Sequence, residues 1–230
     1  MKTNTIYFDS KPRYEILDGL RGVAAVLVLA FHLFETYSKG PVFQIINHGY
    51  LAVDFFFMLS GFVIAYAYDD RWNNQMKLWS FFKRRLIRLH PMLIFGTFIG
   101  ILLFYLGASA VFPKIAVTPW YKVLILGIYC MTILPALPSW DIRGWGETNP
   151  LNSPAWSLQW EYIGNILYAI LLRRIKKLPL LILIFAAAIL TLDLTLGLNI
   201  FGLIDTKSWS AHTVIGGWSW DQKQIYIATT

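Results

Sequence analysis

Long apolar runs separated by short polar and basic segments dominate the chain, at residues 16–34, 51–68, 91–107, 122–137, 158–172 and 178–198. In lipid the backbone polar groups must be satisfied within the segment, so a crossing helix needs roughly 17 to 25 mostly apolar residues. Several of these runs qualify. The weakest, 122–137, is short and closed by Pro135 and Pro138, and is expected to be re-entrant or interfacial. The pattern predicts an all-α protein, a multi-pass transmembrane helical bundle with about five or six apolar helices. There is no internal repeat, heptad run or low-complexity segment.

Composition agrees: of 230 residues, 57% are hydrophobic, 17% aromatic and 14% charged, against about a quarter charged in soluble domains. The net charge of +7 is not a nucleic-acid signature, because the basic residues cluster between apolar runs. Lys2, Lys11 and Arg13 precede the first run. Arg71, Lys77, Lys83, Arg84, Arg85 and Arg88 form a second group, and Arg173, Arg174, Lys176 and Lys177 a third. These segments are expected on the cytoplasmic side, with Lys39, Lys207 and Lys223 on the outer side.

Three apolar runs separate the second and third basic groups, whereas a return to one side needs an even number of crossings. This is a second reason to withdraw 122–137 from the crossings. Trp120, Tyr121, Trp140, Trp145, Trp156 and Trp160 suit anchoring at headgroup level. The first run has no small-x-small cleavage site after it and continues into His32, Glu35 and Tyr37, so it is expected to be retained, with a cytoplasmic N-terminus. The lone Cys130 excludes an internal disulfide and a cysteine metal cluster. Residues 218–230 read as the approach to a further apolar segment, and the chain is expected to be truncated at its C-terminus.

Ionisable groups within spans cost about 2.5 to 3.5 kcal/mol each and call for a reason. His32 lies near the outer end of the first run and Asp54 near the outer start of the second, nearly level if the two helices start and stop together. A carboxylate beside an imidazole fixes its tautomer and prepares it as a general base. The plainer alternatives are a partly wetted histidine and a helix-start carboxylate. Arg21 sits near the cytoplasmic end of the first run, where snorkelling is the plain alternative. Arg85 and Arg88 are three apart and share a helix face, either as a topology signal or as a clamp for a diphosphate. Glu161, in the fifth run, is level with His32 and Asp54 if that run points inward, while Asp193 reads as structural. The P-loop, GxGxxG, HExxH and CxxC motifs are absent, which weakens nucleotide and metal hydrolysis as functions.

Four blocks together resemble the acyltransferase 3 family of membrane acyltransferases, which O-acylate cell-surface polysaccharides and similar acceptors. They are LDGLRG at 17–22 with Arg21, ten residues, then His32; GYLAVDFFFMLSGF at 49–62; FKRRLIRLHP at 82–91; and SPAWSLQWE at 153–161. They occur in the family's order over about the first 160 residues. The resemblance implies that His32 is catalytic, that Arg21 belongs to the same essential motif, and that Arg85 and Arg88 serve the acyl donor. It places Asp54 at the acidic position of the second block, and Trp156, Ser157 and Glu161 in the fourth. Tyr162 follows where the family often has another acidic residue.

The resulting expectation is transfer of an acyl group, acetyl first among candidates, from a cytoplasmic CoA thioester to a carbohydrate-type hydroxyl. His32, Asp54 and Glu161 would be catalytic, Arg21, Arg85 and Arg88 would bind the donor, and Trp156 and Ser157 the acceptor. No permanently bound cofactor or metal is expected. Acetyl-CoA or another acyl-CoA is the co-substrate, and membrane lipid, acyl-CoA and a hydroxyl acceptor are the partners, in a cell membrane such as the bacterial inner membrane. The competing functions are a proton-coupled transporter using Arg21, His32 and Asp54 as a path, and a non-catalytic membrane fragment.

Overall fold

The computed structural model describes residues 12, 14–39, 43–202 and 217–221. Lys2, Lys11, Arg13, Lys207, Lys223 and most of the expected approach at 218–230 lie outside the described residues. The chain divides into two compact units, Met1–Gln75 and Met76–Thr230. Among the described residues the regular structure is helical, with one isolated bridge between Glu147 and Ser219.

The first unit is a helical hairpin. Helix α1 runs Glu15–Glu35 and α2 runs Leu51–Asn73. Ala24 and Phe31 of α1, and Ala52, Leu59 and Ile64 of α2, are buried, while Ile16, Leu29 and Met58 are exposed apolar side chains suited to lipid. The pairing is antiparallel. The Phe31 ring meets Tyr50 at 6.0 Å, and Tyr14 meets Tyr66 at 5.2 Å. Gly49 permits the close approach at the first of these places, since a Cβ there would stand 2.6 Å from the Phe31 Cβ.

The second unit is built on α3, Leu78–Leu103, extended by a 3-10 turn at Phe104–Gly107. It starts well before the expected boundary at 91 and carries the basic run on its early turns. Pro91 sits inside it, which a membrane helix tolerates when neighbours re-satisfy freed backbone groups. Short α4, Pro113–Val117, leads to α5, Trp120–Cys130, and after a long loop come α6, Ala155–Ile170, and α7, Lys177–Thr195.

Helices α3 and α6 pack antiparallel along their length. Phe81 meets Tyr168 at 5.9 Å near one end. Near the other, a Cβ on Gly96 would stand 2.6 Å from Asn152 Nδ2, and one on Gly100 would overlap the Leu151 carbonyl. The core of this unit gathers Phe104, Ile115, Val123, Leu126, Cys130, Ala136, Ile142 and Leu151. Residues 217–221 are stitched into its loop: Thr148 N–H donates to Trp218 O (2.9 Å), Trp220 N–H to Gly146 O (3.0 Å), and Trp220 Nε1 to Ala136 O (2.6 Å).

Among the described residues three helical segments are long and apolar enough to cross a membrane: Glu15–Glu35, Leu51–Asn73 and Leu78–Gly107. Helix α5, with 11 residues, is about 16 Å long, roughly half a hydrocarbon core. The helix in the run at 122–137 ends at Cys130, too short to cross by itself. Helix α6 has 16 residues and α7 has 19.

Candidate functional site

His32 stands in the last turn of α1, where the helix is closed by side chains: Thr36 Oγ1 donates to the His32 carbonyl at 3.0 Å and Ser38 Oγ to that of Glu35 at 3.1 Å. The His32 ring packs edge-on to Phe31 at 5.2 Å, and Phe31 is buried against Gly49 and Tyr50. Its Nδ1 lies 3.1 Å from Glu35 Oε2. Both side chains are accessible, at 61% and 37%.

The carboxylate on the imidazole is thus Glu35, three residues on, and not Asp54. With Phe31–Tyr50 and Tyr14–Tyr66 as rungs, Asp54 falls opposite Val26 or Leu27 of α1, roughly 8 Å along the axis from His32. The near-level depths expected from helix ends do not hold, because α1 overshoots the start of α2. The register of a hairpin is set by the packed aromatic pairs, and helix ends do not report it. At the other end of α1, Arg21 Nη1 is 3.0 Å from Asp18 Oδ1, an i,i+3 pair with both partners about one-third exposed.

In the second unit, Arg85 is buried with Phe81, Leu89, Leu93 and Thr97 on the inward stripe of α3. Its Nη2 donates to Glu161 Oε1 of α6 at 2.6 Å, with side-chain exposures of 3% and 21%. Arg88 is exposed, as is Arg84 one turn before it. The expected Arg85–Arg88 clamp is therefore not presented as one surface. A separation of three residues turns the helix by about 60° short of a full revolution, enough to place one guanidinium inside the interface and the other outside. The structure instead brings together Arg85 and Glu161, with the Tyr162 hydroxyl 3.5 Å from His90 Nδ1 beside them.

Trp156 and Ser157 are half-buried in the first turn of α6. The Ser157 hydroxyl donates to the Pro154 carbonyl at 2.9 Å, and Trp160 Nε1 donates to the Gly217 carbonyl at 3.2 Å. Asn165, 1% exposed, donates to the Glu161 carbonyl at 2.7 Å, leaving its Oδ1 without a hydrogen bond. Glu35, His90 and Asn165 join these contacts beyond the residues the motifs point to. The i,i+3 spacing of Glu35 from His32 and the polar Asn165 in an apolar run were the available signals.

In the loop between α5 and α6, Arg143 pairs with Glu147 at 3.0 Å, and Asp141 reaches Lys114 of α4 at 3.2 Å. Partial burial pushes the Asp141 carboxyl up. The N–H groups of Gly144 and Arg143 and the Lys114 ammonium outweigh that and hold it below the usual carboxylate range. For Glu147, buried at 4% exposure, desolvation wins over Arg143 and its carboxyl is raised.

Comparison with known proteins gives this arrangement its context. The acyltransferase 3 family model, an acyltransferase domain, matches residues 14–225. The chain is 32% identical over 164 residues to protein 2 in the picA locus of Rhizobium radiobacter, covering 68% of this chain and 81% of that protein. It is 37% identical over 93 residues to the peptidoglycan O-acetyltransferase OatA of Listeria monocytogenes, covering 40% of this chain and 13% of that one. It is 28% identical over 174 residues to the acyltransferase MdmB of Streptomyces mycarofaciens, covering 73% of this chain and 41% of that one. The chain thus covers less than half the length of the last two. No solved structure matches it. The family match encloses His32, Arg85 and Glu161 alike, and this helical membrane protein belongs to the acyltransferase 3 family of acyltransferase domains.

Proposed function

We propose that the protein transfers an acetyl or related acyl group from a CoA thioester to a hydroxyl of a carbohydrate-type acceptor. The observation that carries this reading is the family match over residues 14–225, which encloses every motif residue named above. The names of the relatives, among them a peptidoglycan O-acetyltransferase, support O-acetylation as the chemistry. His32 removes the proton from the acceptor hydroxyl, whose oxygen attacks the thioester carbonyl and expels the CoA thiolate. The protein sits in a bacterial cytoplasmic membrane with its N-terminus inside, a placement supported by the distribution of Lys and Arg.

The exposed guanidiniums of Arg88 and Arg84 serve the donor phosphates, four residues apart on one helix face. Arg85 holds α6 to α3 through Glu161 and so keeps that face in place. Arg21 of the first unit contributes to donor binding, and Trp156 and Ser157 in the first turn of α6 contribute to acceptor binding. Asp54 is the acidic group deeper in the hairpin.

The test uses the membrane-inserted protein in nanodiscs with radiolabelled acetyl-CoA and a soluble chitooligosaccharide. His32→Ala is expected to lower transfer about 100-fold or more, and undiminished transfer by this variant would overturn the mechanism. Arg84→Ala/Arg88→Ala is expected to raise KM for acetyl-CoA about tenfold with insertion intact. An unchanged KM would reduce the basic run to a topology signal.

A further inference from the structure

We infer that Glu35 is the positioning residue for His32, selecting the tautomer in which Nδ1 carries the proton and Nε2 offers its lone pair to the acceptor hydroxyl. This deepens the proposed reaction and rests on His32 being its base. An ionised carboxylate only accepts hydrogen bonds. At 3.1 Å from Glu35 Oε2, Nδ1 must therefore be the donor, and the neutral ring keeps its basic nitrogen at Nε2. The same contact stabilises the imidazolium formed when Nε2 takes the proton, the logic by which a carboxylate serves a catalytic histidine elsewhere.

The local fold supports the pair from several sides. Three residues along α1 puts Glu35 on the same face as His32. The backbone beneath both is fixed by the Thr36 and Ser38 hydroxyls on the His32 and Glu35 carbonyls. Phe31, edge-on to the imidazole, is seated against Gly49 and Tyr50 and anchors this turn to α2. From the facing segment, His48 is engaged with the Tyr50 hydroxyl at 3.0 Å. Asp54 is displaced roughly 8 Å along the hairpin. Among the described residues of the hairpin, Glu35 is thus the carboxylate in reach.

The experiment pairs a spectroscopic with a kinetic measurement on the intact protein in nanodiscs. Solid-state ¹⁵N NMR of histidine-labelled protein, with the His32 signal assigned by its loss in His32→Ala, reads the tautomer directly. The wild type and Glu35→Gln, which keeps an acceptor oxygen, are expected to show protonated Nδ1 and bare Nε2. Glu35→Leu is expected to show a mixture. Turnover of acetyl-CoA with chitooligosaccharide should fall about 10- to 100-fold in kcat for Glu35→Leu with KM for acetyl-CoA unchanged, and Glu35→Gln should recover most of it.

An unaltered tautomer in Glu35→Leu, or a tautomer that moves in Asp54→Asn instead, would overturn the assignment. Full transfer by His32→Ala would instead defeat the catalytic reading of His32, and the NMR result would still decide who holds the ring.

Discussion

Arg85 and Glu161 are 76 positions apart in the chain and meet across α3 and α6 with the guanidinium almost fully buried. Breaking such a pair from one side leaves a carboxylate in an interface, at a cost of about 3 kcal/mol, whereas replacing both partners by apolar groups of similar volume is close to neutral. Arg85→Met should therefore unfold at lower temperature than the wild type, and Arg85→Met/Glu161→Leu should recover most of the loss. Cys130 is a free, fully buried thiol, so a thiol-reactive dye during heating in detergent reads both directly. Gly100→Ala, which drives a Cβ into the Leu151 carbonyl, should cost about 1–3 kcal/mol. Gly22→Ala meets nothing within 4 Å and should be neutral or stabilising by up to about 1 kcal/mol. Glu147 gives a pH effect with a definite sign. Its carboxyl is raised above the ordinary 4.5 in the folded protein, so as pH rises the unfolded chain releases this proton first. The folded state then loses stability from about that pH until the raised value is passed. Asp141 acts oppositely: its contribution is present above 3.8 and is lost as pH falls through its lowered value. Thermal scans between pH 4 and 7 should show the downward slope in the wild type and a flatter profile in Glu147→Gln.

At the scale of elements, α5 separates membrane burial from membrane crossing. Its residues are as apolar as those of a span, yet its 11-residue length leaves it short of the far side, and Val123, Leu126 and Cys130 are committed to the core with Phe104, Ile115 and Ile142. Both of its flanks should then face the same side. In a Cys130→Ser background, Ser109→Cys and Ser139→Cys are expected to react with a membrane-impermeant maleimide from one and the same side. Labelling from opposite sides would restore α5 as a crossing. The α1–α2 hairpin shows the complementary point. Periodicity and charge located both helices to within a few residues, but their register was decided by Phe31 on Gly49 and Tyr50 and by Tyr14 on Tyr66. That register sets Asp54 five to six residues along α1 from His32, while the Glu35 contact lies within α1 and does not depend on it.

For the whole molecule, the sequence by itself determined the solvent, the helical class and the family. These depend on quantities that add along the chain: the length of apolar runs, the clustering of Lys and Arg, and the order of four motif blocks. It also exposed a parity conflict, which the 11-residue length of α5 answers if that helix stops short of the far side. Which polar groups meet across helices was decided by the tertiary structure. Arg85 and Arg88 look equivalent in the motif, and only the packing of α6 against α3 draws one inside to Glu161 and leaves the other exposed. His32 and Asp54 look level when counted from helix ends, and only the aromatic rungs show Asp54 to lie deeper, whereas the Glu35 contact was already implicit in its i,i+3 spacing. The physical reason is one of range. Burial in lipid is a sum over many residues and survives small errors of placement. A hydrogen bond fails within an ångström, and the rotation and register that set it come from side chains distant in sequence.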